Sequence, residues 1–204
     1  MKKTLLLVAL CVASLATFAQ TTTTFGIKAG INSSKLTVSA TGGSISTESL
    51  VGFHIGGLVD IGTDNFSFQP GVLFSTKGGK SSSDGGTDKI TLNYLEVPVN
   101  FLYKVQAGDG KVFFGAGPYL GYGLSGKSKS SDGSSTDVTF GSTSDDVKNP
   151  DYGVNFLAGY QFSQGFAINV NYGLGLANLS NDDAGVNLKT KNQVLSFSLS
   201  YFIK

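Results

Sequence analysis

The sequence predicts an all-β fold, an eight-stranded antiparallel up-and-down transmembrane β-barrel, and three observations predict it. Side chains alternate with period two between an apolar face and a small polar face. The connections between the alternating runs are short and long by turns. A segment with the layout of an export leader precedes the first run.

The leader comes first in the chain. Met1, Lys2 and Lys3 are followed by an apolar run from Leu5 to Ala16 and then by Thr17, Phe18 and Ala19, so cleavage is expected after Ala19. The expected organisation is a signal peptide over 1–19 and a barrel domain over 20–204. An apolar stretch of about a dozen residues is too short to cross roughly 30 Å of hydrocarbon as a helix. Cys11 is the only cysteine and lies in the leader, after Leu10 where a lipidation site wants a small residue. The mature chain therefore has no disulfide, no thiol nucleophile and no thiolate ligand for a metal.

Eight alternating runs follow. Apolar residues recur at every second position in Phe25–Ile31, Val51–Ile61, Phe66–Phe74, Leu95–Tyr103, Val112–Leu124, Tyr152–Phe162, Phe166–Leu176 and Leu195–Ile203. In Tyr152 to Phe162 the even positions are Tyr, Val, Phe, Ala, Tyr and Phe, while the odd ones include Gly153, Asn155 and Gly159. Helical spacing is absent from these runs. Their lengths suit tilted membrane strands, which need roughly 9–11 residues. Pro70, Pro98 and Pro118 fall inside them, where a missing N–H predicts a bulge or a local bend.

The short connections are Gly62–Asn65, Gln106–Lys111 and Ser163–Gly165, and the long ones are Ser33–Ser49, Gly78–Ile90, Ser125–Asp151 and Asn178–Lys191. Bacterial outer-membrane barrels have short periplasmic turns and long extracellular loops, which puts both termini in the periplasm. Two long loops resemble each other, Gly79-Lys80-Ser81-Ser82-Ser83-Asp84-Gly85-Gly86 and Gly126-Lys127-Ser128-Lys129-Ser130-Ser131-Asp132-Gly133. Both are expected to extend a strand pair, tipped near Gly85 and Gly133. They lack the Asp spacing and closing Glu of a calcium loop.

A water-facing exterior would carry many Lys and Glu, yet the non-apolar face is Gly, Ser and Asn: Gly115, Gly117, Gly121 and Gly123 in one run, Ser196, Ser198 and Ser200 in another. The apolar face is therefore assigned to lipid. All 15 basic residues are lysines, and removal of Lys2 and Lys3 leaves 13 against 14 acids. That balance gives no reason to expect nucleic acid.

Ionisable groups on the polar face are Lys28, His54, Asp60, Lys77, Glu96 and Lys104, of which Lys28, His54, Glu96 and Lys104 form the candidate lumen cluster. Eight strands leave an interior just wide enough for side chains to fill, so these residues are expected to plug it, with Glu96 meeting Lys28 or His54. His54 is the sole histidine, and no nucleophile arrangement accompanies it. No catalytic residue, metal site or cofactor is expected. Gly115-x-Gly117 and Gly173-x-Gly175 lie mid-strand and are not phosphate cradles.

These residues also resemble a known family, the small outer-membrane β-barrel proteins of Bacteroidetes-type bacteria, often labelled porin-family or PorT-like. The resembling pieces are Phe25-Gly26-Ile27-Lys28-Ala29-Gly30-Ile31-Asn32, Phe68-Gln69-Pro70-Gly71, Tyr94-Leu95-Glu96-Val97-Pro98, Gly115-Ala116-Gly117-Pro118-Tyr119-Leu120-Gly121, Asp151-Tyr152-Gly153 and Tyr172-Gly173-Leu174-Gly175-Leu176. The resemblance covers essentially the whole mature chain. It implies that the strand prolines are family features, and it transfers no catalytic motif.

The expected function is a non-enzymatic barrel of the cell outer membrane with a largely filled interior, acting in envelope structure or surface interaction through its loops. The alternatives are a narrow porin or small-solute channel, and a membrane-embedded enzyme. Expected partners are outer-membrane lipid, the barrel-assembly machinery and periplasmic chaperones.

Overall fold

The computed structural model describes residues 21–40, 42–83, 85–143, 146–181 and 188–203, so the leader expected at 1–19 lies outside the described residues. The alternating runs form antiparallel strands: β1 (Thr22–Ala40), β2 (Gly43–Ser46), β3 (Leu50–Gly62), β4 (Phe66–Ser83), β5 (Gly86–Ala107), β6 (Gly110–Lys129), β7 (Ser135–Val138), β8 (Asp151–Gln161), β9 (Phe166–Gly175) and β10 (Lys189–Ile203). The sheet runs β10-β9-β8-β6-β5-β4-β3-β1, and β10 pairs back onto β1 from Phe25↔Ile203 to Ser39↔Lys189. The ring is thereby closed. Closure leaves no row of unpaired N–H and C=O groups to face hydrocarbon, where each would cost several kcal/mol.

The ring itself closes through eight strands, and ten are present among the described residues. The two additional ones, β2 and β7, lie outside the ring as short hairpin partners of β1 and β6. Both pair through polar loop sequence, Gly43–Ser46 and Ser135–Val138, which carries too little apolar alternation to be read as strand. The ring strands also overrun the hydrophobic runs at one end. The connection expected as a loop over Gly78–Ile90 is mostly ladder, with Lys80↔Lys89 and Ser83↔Gly86 paired. Backbone pairing continues there because it does not depend on apolar side chains.

Of the bulge or local bend expected at the strand prolines, the bulge is not found. Pairing skips two residues beside each of them, between Leu58↔Gly71 and Ile61↔Phe68, between Pro70↔Val99 and Leu73↔Glu96, and between Pro98↔Tyr119 and Phe101↔Ala116, with the register unchanged on either side. A proline here removes ladder bonds without inserting a residue. The bulge in this part of the sheet lies elsewhere, at Asn93/Tyr94, where the β5–β6 register shifts.

Outward positions carry the apolar set: Phe25, Ile27, Phe53, Ile55, Phe101, Phe114, Leu120, Phe156, Phe197 and Leu199 are all more than half exposed in the isolated chain. At the end bearing the short turns, aromatic rings touch across neighbouring strands, Phe66 with Tyr103 at 4.9 Å, Tyr103 with Phe114 at 5.4 Å and Phe166 with Tyr201 at 4.8 Å. Amphipathic rings in a band suit a membrane interface. In the turn between β3 and β4, Lys111 reaches Asp64 at 2.8 Å, and its hydrogen bond and charge hold that carboxyl below the usual carboxylate range.

The opposite end is capped by chain. Leu36, Ala177 and Leu179 form a buried cluster with Ile90 and Val147 packed on it, and Asn181 Nδ2 donates to the carbonyls of Gly141, Thr143 and Asp146. Hydrogen bonds donated by Thr139 and Thr143 hold the Asp146 carboxyl below its usual range.

Small inward residues set how closely the strands approach. A Cβ at Gly117 would overlap the Val99 carbonyl oxygen and come within 2.7 Å of Asn100 Cα, whereas a Cβ at Gly43 would meet nothing within 4 Å. Gly117→Val is expected to destabilise the barrel by about 1–3 kcal/mol and Gly43→Val by less than about 0.5 kcal/mol. Thermal unfolding of the refolded chain, followed by heat-modifiable gel migration, checks both.

Candidate functional site

Alternation on a closed ring sends every second residue into the lumen, so the interior can be read strand by strand. It holds three layers. At the turn end, Asp60 on β3 accepts from Lys104 Nζ through both oxygens, at 2.8 and 2.9 Å, and from Gln69 Nε2 at 2.9 Å and Ser67 Oγ at 3.3 Å. Next comes an apolar belt of Leu58, Leu102, Phe113, Leu157, Ala167 and Phe202, contributed by six different ring strands and buried inside the barrel. Beyond the belt lies the larger polar layer.

Lys77 on β4 anchors that layer. Its Nζ lies 2.6 Å from Glu96 Oε2 and 3.2 Å from Asp151 Oδ2, and 4.3 Å from the centre of the Tyr119 ring. The Lys77 side chain is 3% exposed and that of Asp151 is fully buried. Asn192 Nδ2 donates to Asp151 Oδ2 at 3.0 Å. Burying an ion costs several kcal/mol, and only close opposite charges with hydrogen bonds offset it.

His54 belongs to a different arrangement within the same layer. Asn32 donates through Nδ2 to the Phe53 and Thr76 carbonyls and to Ser75 Oγ, which fixes Oδ1 as its accepting atom. Oδ1 in turn receives Ser196 Oγ at 2.8 Å and His54 Nδ1 at 2.8 Å. Nδ1 therefore carries the proton. Nε2 lies 2.9 Å from Ser198 Oγ. Both ring nitrogens are thus occupied by hydrogen-bond partners, and neither is an open metal ligand.

Lys28, His54 and Glu96 line one cavity together with Asn32, Ser75, Asn155 and Ser198, and its volume is about 30 Å³. That is room for one or two waters. Of the four residues expected as a cluster, the structure brings these three to one chamber. Lys104 lies apart, beyond the apolar belt. The expected pairing of Glu96 with Lys28 or His54 is corrected, because Glu96 makes its close ion pair with Lys77 and reaches Lys28 only as a charge across the cavity. Register decides this, and period-two reading does not supply register.

Within the polar layers described above, the charges are Lys28, Lys77 and Lys104 against Asp60, Glu96 and Asp151. They cancel. Sequence reasoning placed Asp151 at the end of a loop and so missed it as the partner of Lys77. It also missed Tyr94, Tyr119 and Asn192 around it, although their parity within β5, β6 and β10 points them inward. Among the described residues no three His, Cys, Asp or Glu side chains are grouped to hold a metal ion.

Residues 18–181 match the family model described as the outer membrane protein beta-barrel domain. No curated protein sequence matches the chain. Solved structures with a similar chain path include Ail, the attachment invasion locus protein of Yersinia pestis, at 14% identity and a TM-score of 0.44, covering 89% of this chain and 99% of that one. Others are Neisserial surface protein A, at 14% and 0.46 with 87% and 96% covered, and the outer membrane protein OprG from Pseudomonas aeruginosa, at 12% and 0.48 with 88% and 95% covered.

Replacing Lys77 leaves Glu96 and Asp151 buried without a counter-charge. Lys77→Met is expected to destabilise the barrel by about 3–5 kcal/mol, and adding Glu96→Gln and Asp151→Asn to recover a large part of that loss. Denaturant titration of the refolded variants in micelles measures both steps.

Proposed function

The chain belongs to the outer membrane protein β-barrel domain family, and from that premise we propose that it is a non-enzymatic, non-conducting barrel of the outer membrane that presents its strand extensions and loops at the cell surface. The observation that carries this reading is the occupied lumen. An apolar belt, a saturated Asp60 to Lys104 pair and the Lys77 network stand in series along the axis, and the chamber among them measures about 30 Å³. A solute path needs continuous width, and hydrophobic constrictions close even narrow pores by dewetting.

The proposal extends to orientation. With eight ring strands and both termini at the turn end, the short turns face the periplasm and the β1–β2, β4–β5 and β6–β7 hairpins project outside. Residues 1–19 serve as a cleaved signal peptide, and periplasmic chaperones and the barrel-assembly machinery deliver the chain. Within the family, the sequence pieces from Phe25 to Asn32 and from Tyr94 to Pro98 ally it with small Bacteroidetes-type barrels of the porin-family or PorT-like kind. No converging nucleophile and base stands at loop level among the described residues, and the His54 imidazole lies in the lumen between Asn32 and Ser198.

Planar-bilayer recording of the purified protein tests the reading. The expected result is no stepwise conductance from the wild type, with openings gained on replacing Phe113 and Phe202 of the belt by Gly. Stable stepwise conductance from the wild-type chain would establish the narrow-channel alternative instead.

A further inference from the structure

The two look-alike loop segments carry lysines that the barrel itself does not use. In the ladder above the bilayer, Lys89 on β5 stands directly opposite Lys80 on β4 and, on its other side, directly opposite Lys129 on β6. Like charges facing each other on adjacent strands are destabilising, and nearby acids relieve only part of this row. Lys80 reaches Glu48 at 3.3 Å, and Asp137 pairs in register with Lys127. Asp88 points its carboxylate at the Ser131 N–H. Lys89, Lys127 and Lys129 have no ion pair within 4 Å among the described residues.

On β1 and β10, which lie across the ring and carry no facing lysine pair, Lys35, Lys189 and Lys191 also have no ion pair within that distance among the described residues. Parity fixes where they point: Leu36 and Asn192 are buried inward, so Lys35 and Lys191 face out, while Gly126 packs inward on Leu92 and Lys127 faces out. Six lysines thus face outward at the loop end in two groups, one on β5 and β6 and the other on β1 and β10.

Their height can be estimated from the strands. Each lies three to six residues beyond the last exposed apolar side chain of its strand, Ile31, Leu95, Leu124 or Leu195. At about 3.3 Å per residue and a tilt near 40°, that is about 8–15 Å past the apolar band. The headgroup layer begins at the edge of that band, and lysine stems extend along apolar surface to place the ammonium at a polar boundary. Among the described residues the turn end has no counterpart, since Lys111 there is paired with Asp64.

We propose that Lys35, Lys89, Lys127, Lys129, Lys189 and Lys191 form a basic collar that binds the phosphate groups of anionic lipid in the outer leaflet. The anion layer supplies the counter-charge that the protein omits, and the row of facing lysines is stable because of it. This inference rests on the orientation proposed above, with the loop end outside.

Native mass spectrometry of the folded chain with added lipid tests it, using bisphosphorylated lipid A, phosphatidylcholine and inorganic phosphate as probes. The expected result is at least tenfold tighter retention of lipid A than of phosphatidylcholine, no retention of inorganic phosphate, and a preference weakened by salt. Replacing the six lysines by Gln is expected to abolish the preference, while Lys111→Gln leaves it unchanged. Equal retention of both lipids, or a preference that survives the sixfold change, would overturn the collar. Preference for a soluble sulfated glycan over lipid A would overturn it as a lipid site. An epitope inserted at Gly133 and stained on intact cells reads orientation separately. No staining with the lipid A preference intact would refute the orientation, and staining with the preference absent would refute the collar alone.

Discussion

Every backbone N–H and C=O that crosses a bilayer must find a partner within the chain, and in an all-β protein that requirement forces the sheet to close on itself. The pairing of β10 with β1 is therefore the contact on which the rest depends. Closure through eight ring strands sets a narrow bore, and a narrow bore must be filled by whatever alternation sends inward. Gly, Ser and Asn are the residues that fit where strands crowd. Their abundance on one face and the lipid-facing Phe, Ile and Leu on the other are two results of one geometric constraint.

A filled interior then faces an electrostatic problem, because ions removed from water are costly unless matched. The barrel meets it by cancelling its inward charges and dividing them. Lys104 and Asp60 form one saturated pair, Lys77 holds Glu96 and Asp151, and the leucine and phenylalanine belt separates the two groups. Asn32 performs the neutral part, giving or taking hydrogen bonds with five neighbours across β3, β4 and β10. The amide and the imidazole are both engaged in these hydrogen bonds.

The sequence shows what depends on period and hides what depends on register. Phe, Ile and Leu at every second position mark the ring strands, since side chains alternate whatever the neighbour is. Which lumen residues meet is another matter. The register sets Glu96 opposite Leu73 and Lys77 opposite Leu92, so the two meet only diagonally across β4 and β5, and Asp151 joins them from a strand far along the chain. Nothing local announces either contact. The hairpins β2 and β7 are built from polar residues whose ladder bonds leave no trace in hydropathy, and the prolines look like bulges until the unchanged register on both sides is known. Lys104 sits on the polar face like Lys28 and Glu96, yet it lies eight residues beyond Glu96 along β5 toward the short-turn end, across the apolar belt.

The central claim is that the lumen is packed, so that no water path joins the two ends. Thiol accessibility measures this directly, since the chain has no cysteine after Cys11 and a single one can be placed at will. With Asn155→Cys in the central chamber and Thr24→Cys at the turn-end mouth, a charged, water-soluble thiol reagent is added to the folded protein. The account predicts rapid labelling at position 24 and none at position 155 until the barrel is unfolded. Labelling at 155 at a rate comparable to 24 in the folded state would contradict it.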